Sequence, residues 1–128
     1  MAKGMNEIDI ARSADDVWKV AGDFGGLGGW MPGVETCTVD GDVRTISMSG
    51  MEIGERLVSR DDAARVYVYS IVSGPAPVDH HEATITVTPA GSGSHVTWAV
   101  DVEPETMLAL FTQIYGQSLD ALKAHCEG

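Results

Sequence analysis

Basic residues are scarce in this sequence, and their scarcity limits the partners that the protein can have. The chain of 128 residues has 8 Lys and Arg against 19 Asp and Glu, which gives a formal net charge of −11. No local cluster of Lys or Arg interrupts this acidity. Because phosphate backbones and anionic membrane surfaces are recognised by basic patches, the composition predicts no nucleic-acid partner and no stable association with membranes.

Cysteines and long apolar runs are also rare. The two cysteines, Cys37 and Cys126, form no CxxC motif and no Cys/His group, so we expect two free thiols and no metal site. No stretch approaches the ~18 apolar residues of a membrane-spanning helix. The N-terminal segment lacks the apolar core of a signal peptide. These absences predict a cytoplasmic protein.

The chain is long enough, and at 44% apolar residues hydrophobic enough, to build one core. We therefore expect a single domain over residues 1–128. A short strand with Ile8 and Ile10 on one face precedes a helix that Ser13 is expected to cap. Residues 22–33 contain six glycines and predict an irregular connection with one helical turn. Their spacing is not GxGxxG and they follow a helix, which disfavours a phosphate-binding loop, and no cofactor is predicted.

Apolar and polar residues alternate between Val34 and Val102, as is typical of strands. Short connections rich in Gly, Asp and Pro predict antiparallel neighbours, because a parallel crossover needs about a dozen residues or more. Residues 104–126 carry an apolar stripe at helical spacing, and a helix of this length would span roughly 33 Å. The six strands are predicted near 34–39, 43–48, 51–59, 64–73, 80–88 and 94–102.

This order of elements and four sequence segments resemble the START/Bet v 1-like (SRPBCC) superfamily, in its bacterial polyketide cyclase/dehydrase-like branch. The segments are ADDVWKVAGDF, WMPGV, ERLVSRDDAARVYVYSIVSGPAPV and VTWAVDVEPE. The resemblance implies an α+β helix-grip fold, in which a curved seven-stranded antiparallel sheet wraps around a long C-terminal helix, with two short helices after strand 1. It also implies an apolar cavity between sheet and helix. Known members carry lipids, sterols or hormones there, or cyclise and dehydrate polyketides.

The adjacent histidines His80 and His81 begin a cleanly alternating segment, HHEATITVTP. Successive strand residues point to opposite faces, so His81 shares the apolar face of Ile85 while His80 faces solvent. The two rings therefore cannot bind one metal ion together. Two interpretations of His81 remain open: an inert histidine held by hydrogen bonds, or a polar anchor or proton-transfer group for a ligand.

Aromatic and apolar residues supply the other candidates for the cavity wall. Alternation places Trp98 on the apolar face of its strand. For Tyr67 and Tyr69 the pattern leaves the face open, and the family resemblance favours the inside, where a phenol could hold a ligand carbonyl or hydroxyl. An apolar stripe on the last helix is also what any core requires. The predicted ligand-binding residues are Trp30, Tyr67, Tyr69, His81, Trp98, Leu108, Phe111 and Tyr115.

Glu55 and Arg56 are neighbours on one predicted strand, so only one of them can point inwards. The alternation of faces along a strand places Glu55 on the same side as Ile53 and Leu57, and this position would bury its carboxylate. A lone buried charge is costly, and a bulge near Gly54 could change the faces. We therefore expect both charged side chains to reach solvent at the rim of the sheet.

Two functions fit these expectations best, and a protein-interaction module whose cavity has collapsed is a third, weaker possibility. The first is a carrier or sensor that binds a small hydrophobic or amphipathic molecule, which requires only an apolar cavity with a few polar anchors. The alternative is a cyclase or dehydratase acting on a polyketide-like carbonyl compound, with His81 as general acid or base and Tyr69 polarising the carbonyl. No catalytic-triad order or carboxylate pair supports ordinary hydrolysis. Monomer and homodimer both remain open.

Overall fold

The computed structural model describes residues 2–128 as one seven-stranded sheet and two α-helices. A single-turn 3-10 helix, Leu27–Gly29, follows the first α-helix, and another, Glu105–Met107, precedes the second. The strands are β1 (Ala2–Ile10), β2 (Thr36–Asp40), β3 (Val43–Met48), β4 (Met51–Asp61), β5 (Val66–Ser73), β6 (His80–Ala90) and β7 (Gly93–Glu103). The helices are α1 (Ala14–Ala21) and α2 (Leu108–Glu127).

The six strands predicted between Val34 and Val102 are confirmed, with boundaries that differ by at most two residues. The last helix begins later than expected. Its first predicted turn, Glu105–Met107, has 3-10 geometry, and α2 proper starts at Leu108. The predicted helical turn in the glycine-rich segment is also present, so two short helices follow β1 as expected.

The start of α1 is set by the residue that the sequence indicated. The Oγ atom of Ser13 accepts a hydrogen bond of 3.2 Å from the backbone N–H of Asp16, and this satisfies one of the free N–H groups of the first turn. The Asp16 carboxylate lies 3.7 Å from Lys19 Nζ. Ala14, Val17 and Ala21 form the buried face of the helix.

All neighbouring strands are antiparallel, in the order β1-β7-β6-β5-β4-β3-β2. The first strand along the chain therefore pairs with the last. Two irregularities in β4, at Gly54/Glu55 and at Leu57/Ser59, interrupt its register with β5. Because bulges bend a sheet and increase its twist, they contribute to the curvature with which the sheet wraps around α2. This is the expected helix-grip arrangement.

Burial alternates along β5, β6 and β7 and confirms which side chains point toward α2. Tyr67, Tyr69 and His81 are all at most 2% exposed, whereas His80 is half-exposed. The open question about the two tyrosines is thus decided in favour of the inside. The strands and α2 together bury Ala83, Ile85, Val87, Val96, Trp98, Val100, Val102, Phe111, Tyr115, Leu119 and Leu122.

Two glycines allow α2 to lie close to β1. A Cβ atom on Gly4 would lie 2.8 Å from Thr112 Cγ2, and one on Gly116 would lie 3.0 Å from Asn6 Nδ2. Both separations are shorter than a comfortable contact of about 3.5–4.0 Å between carbon atoms. Gly116 weakens the helical propensity of α2, and this close approach explains why a glycine stands there.

No helix within residues 2–128 is both long enough and apolar enough to cross a membrane. The same part of the chain contains no group of three or more His, Cys, Asp or Glu side chains placed to hold a metal ion. His80 and His81 point to opposite faces of β6, as their positions in the alternating segment predict.

Candidate ligand-binding cavity

A cavity of about 440 Å³ lies between the curved sheet and α2. Ile46, Ile53 and Ile71, from three adjacent strands, line it on the side of the sheet. Phe111 and Ile114 of α2 line it on the side of the helix. A volume in the range of about 300–1,000 Å³ with mainly apolar walls and few polar groups is typical of a site for a small molecule.

The cavity reaches the protein surface near the start of α2. Leu110 is 47% exposed and Met51 is 43% exposed, and both side chains line the cavity. Residues 75–77, in the connection between β5 and β6, also contribute to its wall. Large apolar side chains that contact both solvent and a cavity mark an opening through which a ligand can pass.

Arg44 and Glu55 place a buried ion pair in the cavity wall. The two residues are Cα partners on β3 and β4, and their side chains are 1% and 10% exposed. Arg44 donates to Glu55 Oε1 from Nε at 2.8 Å and from Nη2 at 2.7 Å. Its Nη1 atom donates to the Phe24 carbonyl oxygen at 3.0 Å and to Tyr67 Oη at 3.3 Å.

The burial of Glu55 overturns the expectation that both Glu55 and Arg56 reach solvent. Arg56 is exposed, but Glu55 is only 7% exposed and lines the cavity. The expectation assumed that a buried carboxylate would be unpaired, and Arg44 supplies the missing partner. The irregular register at Gly54/Glu55 leaves Glu55 on the inner face.

Burial and mutual attraction shift the pKa values of both members of the pair. Burial raises the pKa of Glu55, and the charge and hydrogen bonds of Arg44 oppose that rise. Burial by itself would lower the pKa of Arg44, but Tyr67 and Glu55 beside it raise it above its usual value. The guanidinium also lies over three aromatic rings, with its Cζ atom 4.2 Å from the ring centre of Phe24, 4.7 Å from that of Tyr69 and 5.9 Å from that of Tyr67.

A second cluster of polar and aromatic side chains connects β5, β6, β7 and α2. The backbone N–H of Ile71 donates to His81 Nδ1 at 3.2 Å, so the neutral imidazole carries its proton on Nε2. That Nε2–H donates to Tyr115 Oη at 2.8 Å. Trp98 Nε1 donates to Tyr69 Oη at 3.1 Å, and the Trp98 and Tyr115 rings stack at 4.5 Å.

His81 is neutral at physiological pH. Burial, followed by the neighbouring His80, lowers the pKa of His81 to about 4. Its only lone pair in the ring plane accepts the Ile71 N–H, and protonation would bring two N–H groups face to face. Burial raises the pKa of Tyr69 and of Tyr115. The two hydroxyl groups therefore stay protonated and can act as hydrogen-bond donors.

The predicted ligand-binding residues divide into two sets of four. Tyr69, Trp98, Phe111 and Tyr115 line the cavity. The other four, Trp30, Tyr67, His81 and Leu108, are not among the residues that line it.

Two of the residues outside the cavity wall are hydrogen-bonded to residues that line it. His81 orients Tyr115, and Tyr67 accepts a hydrogen bond from Arg44. The ring of Trp30 lies 6.4 Å from that of Trp98. Leu108 is half-buried beside β1. None of these four side chains lies in the cavity wall, and their direct contact with a ligand stays a prediction.

Sequence reasoning did not find Arg44, although a signal was present. In the segment VRTIS, Arg44 lies two positions before the inward-facing Ile46 and therefore on the same face of the strand. Glu55 likewise lies on the same face as apolar residues of the next strand. Two opposite charges at inward positions of adjacent hairpin strands can pair, and their attraction offsets part of the cost of burying each charge.

The sequence matches, over residues 1–127, the family described as polyketide cyclase/dehydrase and lipid transport. The chain belongs to this family. No protein among the curated sequences compared matches it. The family description and the fold both favour a hydrophobic ligand in the helix-grip cavity.

Solved structures with similar folds include proteins of low and moderate sequence identity. The protein XoxI from Bacillus cereus is 32% identical, with 98% of this chain and 95% of that chain covered and a TM-score of 0.93. A protein from Bacillus thuringiensis is 30% identical, with 98% of both chains covered and a TM-score of 0.91. A START superfamily protein from Mycobacterium smegmatis is 12% identical, with 96% and 97% covered and a TM-score of 0.77, and shares the fold.

Proposed function

We propose that this protein binds a small amphipathic molecule in the cavity between sheet and α2, as a carrier or sensor. The observation that carries the proposal is the cavity itself, with a volume of about 440 Å³, mainly apolar walls and the Arg44–Glu55 pair beside Tyr69. Apolar walls favour the body of the ligand through the hydrophobic effect, and the polar side chains fix its orientation. Reversible binding requires nothing further.

Filling the cavity tests this proposal. Ile53 lines the cavity on β4, whereas Val58, on the same strand, is 52% exposed. We expect Ile53→Trp to weaken binding of the uncharged fluorescent probe N-phenyl-1-naphthylamine by about tenfold or more, because the larger side chain occupies ligand space. Val58→Trp is the matched control and should bind as the wild type does. Equal affinity in both variants would exclude the cavity as the binding site.

A cyclase or dehydratase is the second candidate, and it is supported by the family description and by two polar groups in the wall. Tyr69 can donate to a carbonyl oxygen, which stabilises an enolate, and the raised pKa of Glu55 suits a proton acceptor. The described hydrogen bonds disfavour His81 as the base, because its lone pair is already used.

Recovery of a bound molecule distinguishes the two functions. Native mass spectrometry of gently purified protein gives the mass of the bound species. Prolonged incubation of excess extracted ligand with fresh protein then tests for turnover. A ligand recovered unchanged favours the carrier or sensor. A product that has lost water, absent with Tyr69→Phe, favours the enzyme.

A further inference from the structure

The Arg44–Glu55 pair leaves one hydrogen-bonding site unused on each partner. Both hydrogen bonds from Arg44 to Glu55 end on Oε1, and among residues 2–128 no side chain or backbone group donates to Oε2. Arg44 uses its Nε–H, both Nη1–H groups and one Nη2–H. One N–H donor and one carboxylate acceptor therefore remain in a pair that lines the cavity.

Tyr69 and Tyr115 supply a further hydrogen-bond donor. Tyr69 Oη already accepts from Trp98, and Tyr115 Oη accepts from His81. Each tyrosine also has its own hydroxyl hydrogen. At most one of these two hydrogens can bridge the two oxygens, so at least one remains free. Both side chains line the cavity, and the pair thus offers a hydroxyl donor to whatever occupies it.

The cavity has no net charge to attract an ion. Among residues 2–128, Arg44 and Glu55 are the only charged residues that line it, and their charges cancel. A ligand carboxylate would lose its hydration and meet the carboxylate of Glu55, while the opposite charge of Arg44 is already paired. A ligand ammonium group would meet Arg44 in the same way. Charged head groups are therefore disfavoured.

We propose that the cavity selects uncharged ligands that carry both a hydrogen-bond acceptor and a hydrogen-bond donor, of which hydroxy ketones are the simplest class. The carbonyl oxygen accepts from the hydroxyl of Tyr69, whose ring lies against the Arg44 guanidinium, and the hydroxyl group of the ligand donates to Glu55 Oε2. This inference rests on the proposed function, because it specifies the polar end of the molecule that the cavity binds.

Four probes with the same naphthalene body test this pattern. They are 6-acetyl-2-naphthol, with acceptor and donor; 2-acetylnaphthalene, with the acceptor alone; 2-naphthol, with the hydroxyl alone; and 6-hydroxy-2-naphthoate, an anion. Calorimetric titration should show 6-acetyl-2-naphthol binding about tenfold or more tightly than each of the others, since a hydrogen bond to a charged group contributes strongly. Equal affinities for the four probes would overturn the inference.

Glu55→Gln makes a sharper test because it changes two affinities in opposite directions. It replaces the free acceptor by an amide donor and leaves the charge of Arg44 uncompensated. We expect 6-acetyl-2-naphthol to bind about fivefold to tenfold more weakly and 6-hydroxy-2-naphthoate to bind more tightly. A cavity that had merely collapsed would bind both probes more weakly. Glu52→Gln, at an exposed position on the same strand, should change neither affinity.

A second variant keeps the inference testable if Glu55→Gln does not fold. Tyr69→Phe removes one hydroxyl group and preserves the ring under Arg44. It should weaken the binding of 6-acetyl-2-naphthol and of 2-acetylnaphthalene about equally, by about threefold to tenfold, and leave the affinity for 2-naphthol unchanged. An unchanged affinity for both ketones would contradict the inference. If Ile53→Trp also leaves the binding of every probe unchanged, the proposed function itself fails.

Discussion

Arg44 and Glu55 define the chemistry of the cavity at the scale of single residues. Removing a charge from water costs several kcal/mol for each ion, and a buried pair recovers that cost only with good geometry and additional hydrogen bonds. Arg44 has both, through Glu55, Phe24 and Tyr67. Such a pair contributes little net stability compared with apolar residues of similar volume. Its presence beside a cavity therefore favours a role in recognition.

We expect His81 to make the stability of the protein depend on pH. The pKa of His81 is lowered from 6.5 to about 4 by burial, so the folded state keeps the ring neutral while the unfolded chain takes up a proton below pH 6.5. The contribution of His81 to the free energy of unfolding is therefore fully present above pH 6.5 and is lost as the pH falls toward 4. We expect the loss to reach about 3 kcal/mol, at about 1.4 kcal/mol for each unit of pKa difference.

Denaturant titrations at several pH values check this expectation. His81→Gln cannot titrate, so the difference in unfolding free energy between wild type and variant should shrink by about 3 kcal/mol between pH 7 and pH 4. His80→Gln, on the outer face of β6, is the control and should follow the wild type more closely. A constant difference between wild type and His81→Gln would show that His81 does not lose a proton on folding.

The packing of α2 on β1 is the decisive contact at the scale of elements. β1 is the only strand that precedes α1 in residues 2–128, and it pairs with β7 and contacts α2. Gly4 on the strand and Gly116 on the helix permit the short separation between them. The helix is thereby held over one end of the sheet, and the space that remains over β3, β4 and β5 becomes the cavity.

Gly4→Ala should disturb this contact. The new Cβ would lie 2.8 Å from Thr112 Cγ2 and 3.0 Å from Leu108 Cδ1, and overpacking of this kind costs about 1–3 kcal/mol. Gly28→Ala is the control, because a Cβ there meets no atom within 4 Å, and it should change stability by less than about 0.5 kcal/mol. Thermal or chemical denaturation measures both values. A Gly4→Ala variant as stable as the control would refute the proposed steric role.

At the scale of the whole molecule, the protein carries a formal net charge of −11, whereas the charges in the cavity wall cancel. The acidic surface repels itself and so destabilises the compact state. It also lowers the local concentration of anions. The low local concentration of anions is consistent with a protein that binds uncharged ligands. Because salt screens the repulsion between surface charges, we expect salt to change the stability of the protein more than its affinity for uncharged ligands.

Raising the NaCl concentration from about 10 mM to about 150 mM shortens the screening length from about 30 Å to about 8 Å. We expect this to stabilise the protein by about 1 kcal/mol, which corresponds to a rise in Tm of about 4 °C for a domain of this size. Differential scanning calorimetry measures the shift. A variant with Glu35→Gln, Asp40→Asn and Glu52→Gln, all at exposed positions, should respond less. A Tm that falls with salt would show that the surface ion pairs outweigh the repulsion.

Local patterns predicted most of the fold. Period-two alternation assigned the inner faces of β6 and β7, because strand geometry fixes which side chains share a face. Ser13 marked the start of α1 through its capping chemistry. Tyr67 and Tyr69 show the limit of such patterns: both sets of side chains on β5 are partly apolar, and only packing against α2 decides which set is buried.

The sequence by itself determined the number of strands, their antiparallel order along the chain and the apolar faces of β6, β7 and α2, since these depend on residues close to one another in the chain. Only the tertiary structure decided that Glu55 is buried, because its partner Arg44 lies on another strand and the register irregularity at Gly54/Glu55 arises between β4 and β5. It also decided that His81 supports Tyr115 from outside the cavity wall. A cavity is the volume that packing leaves unfilled, and no single segment contains that information.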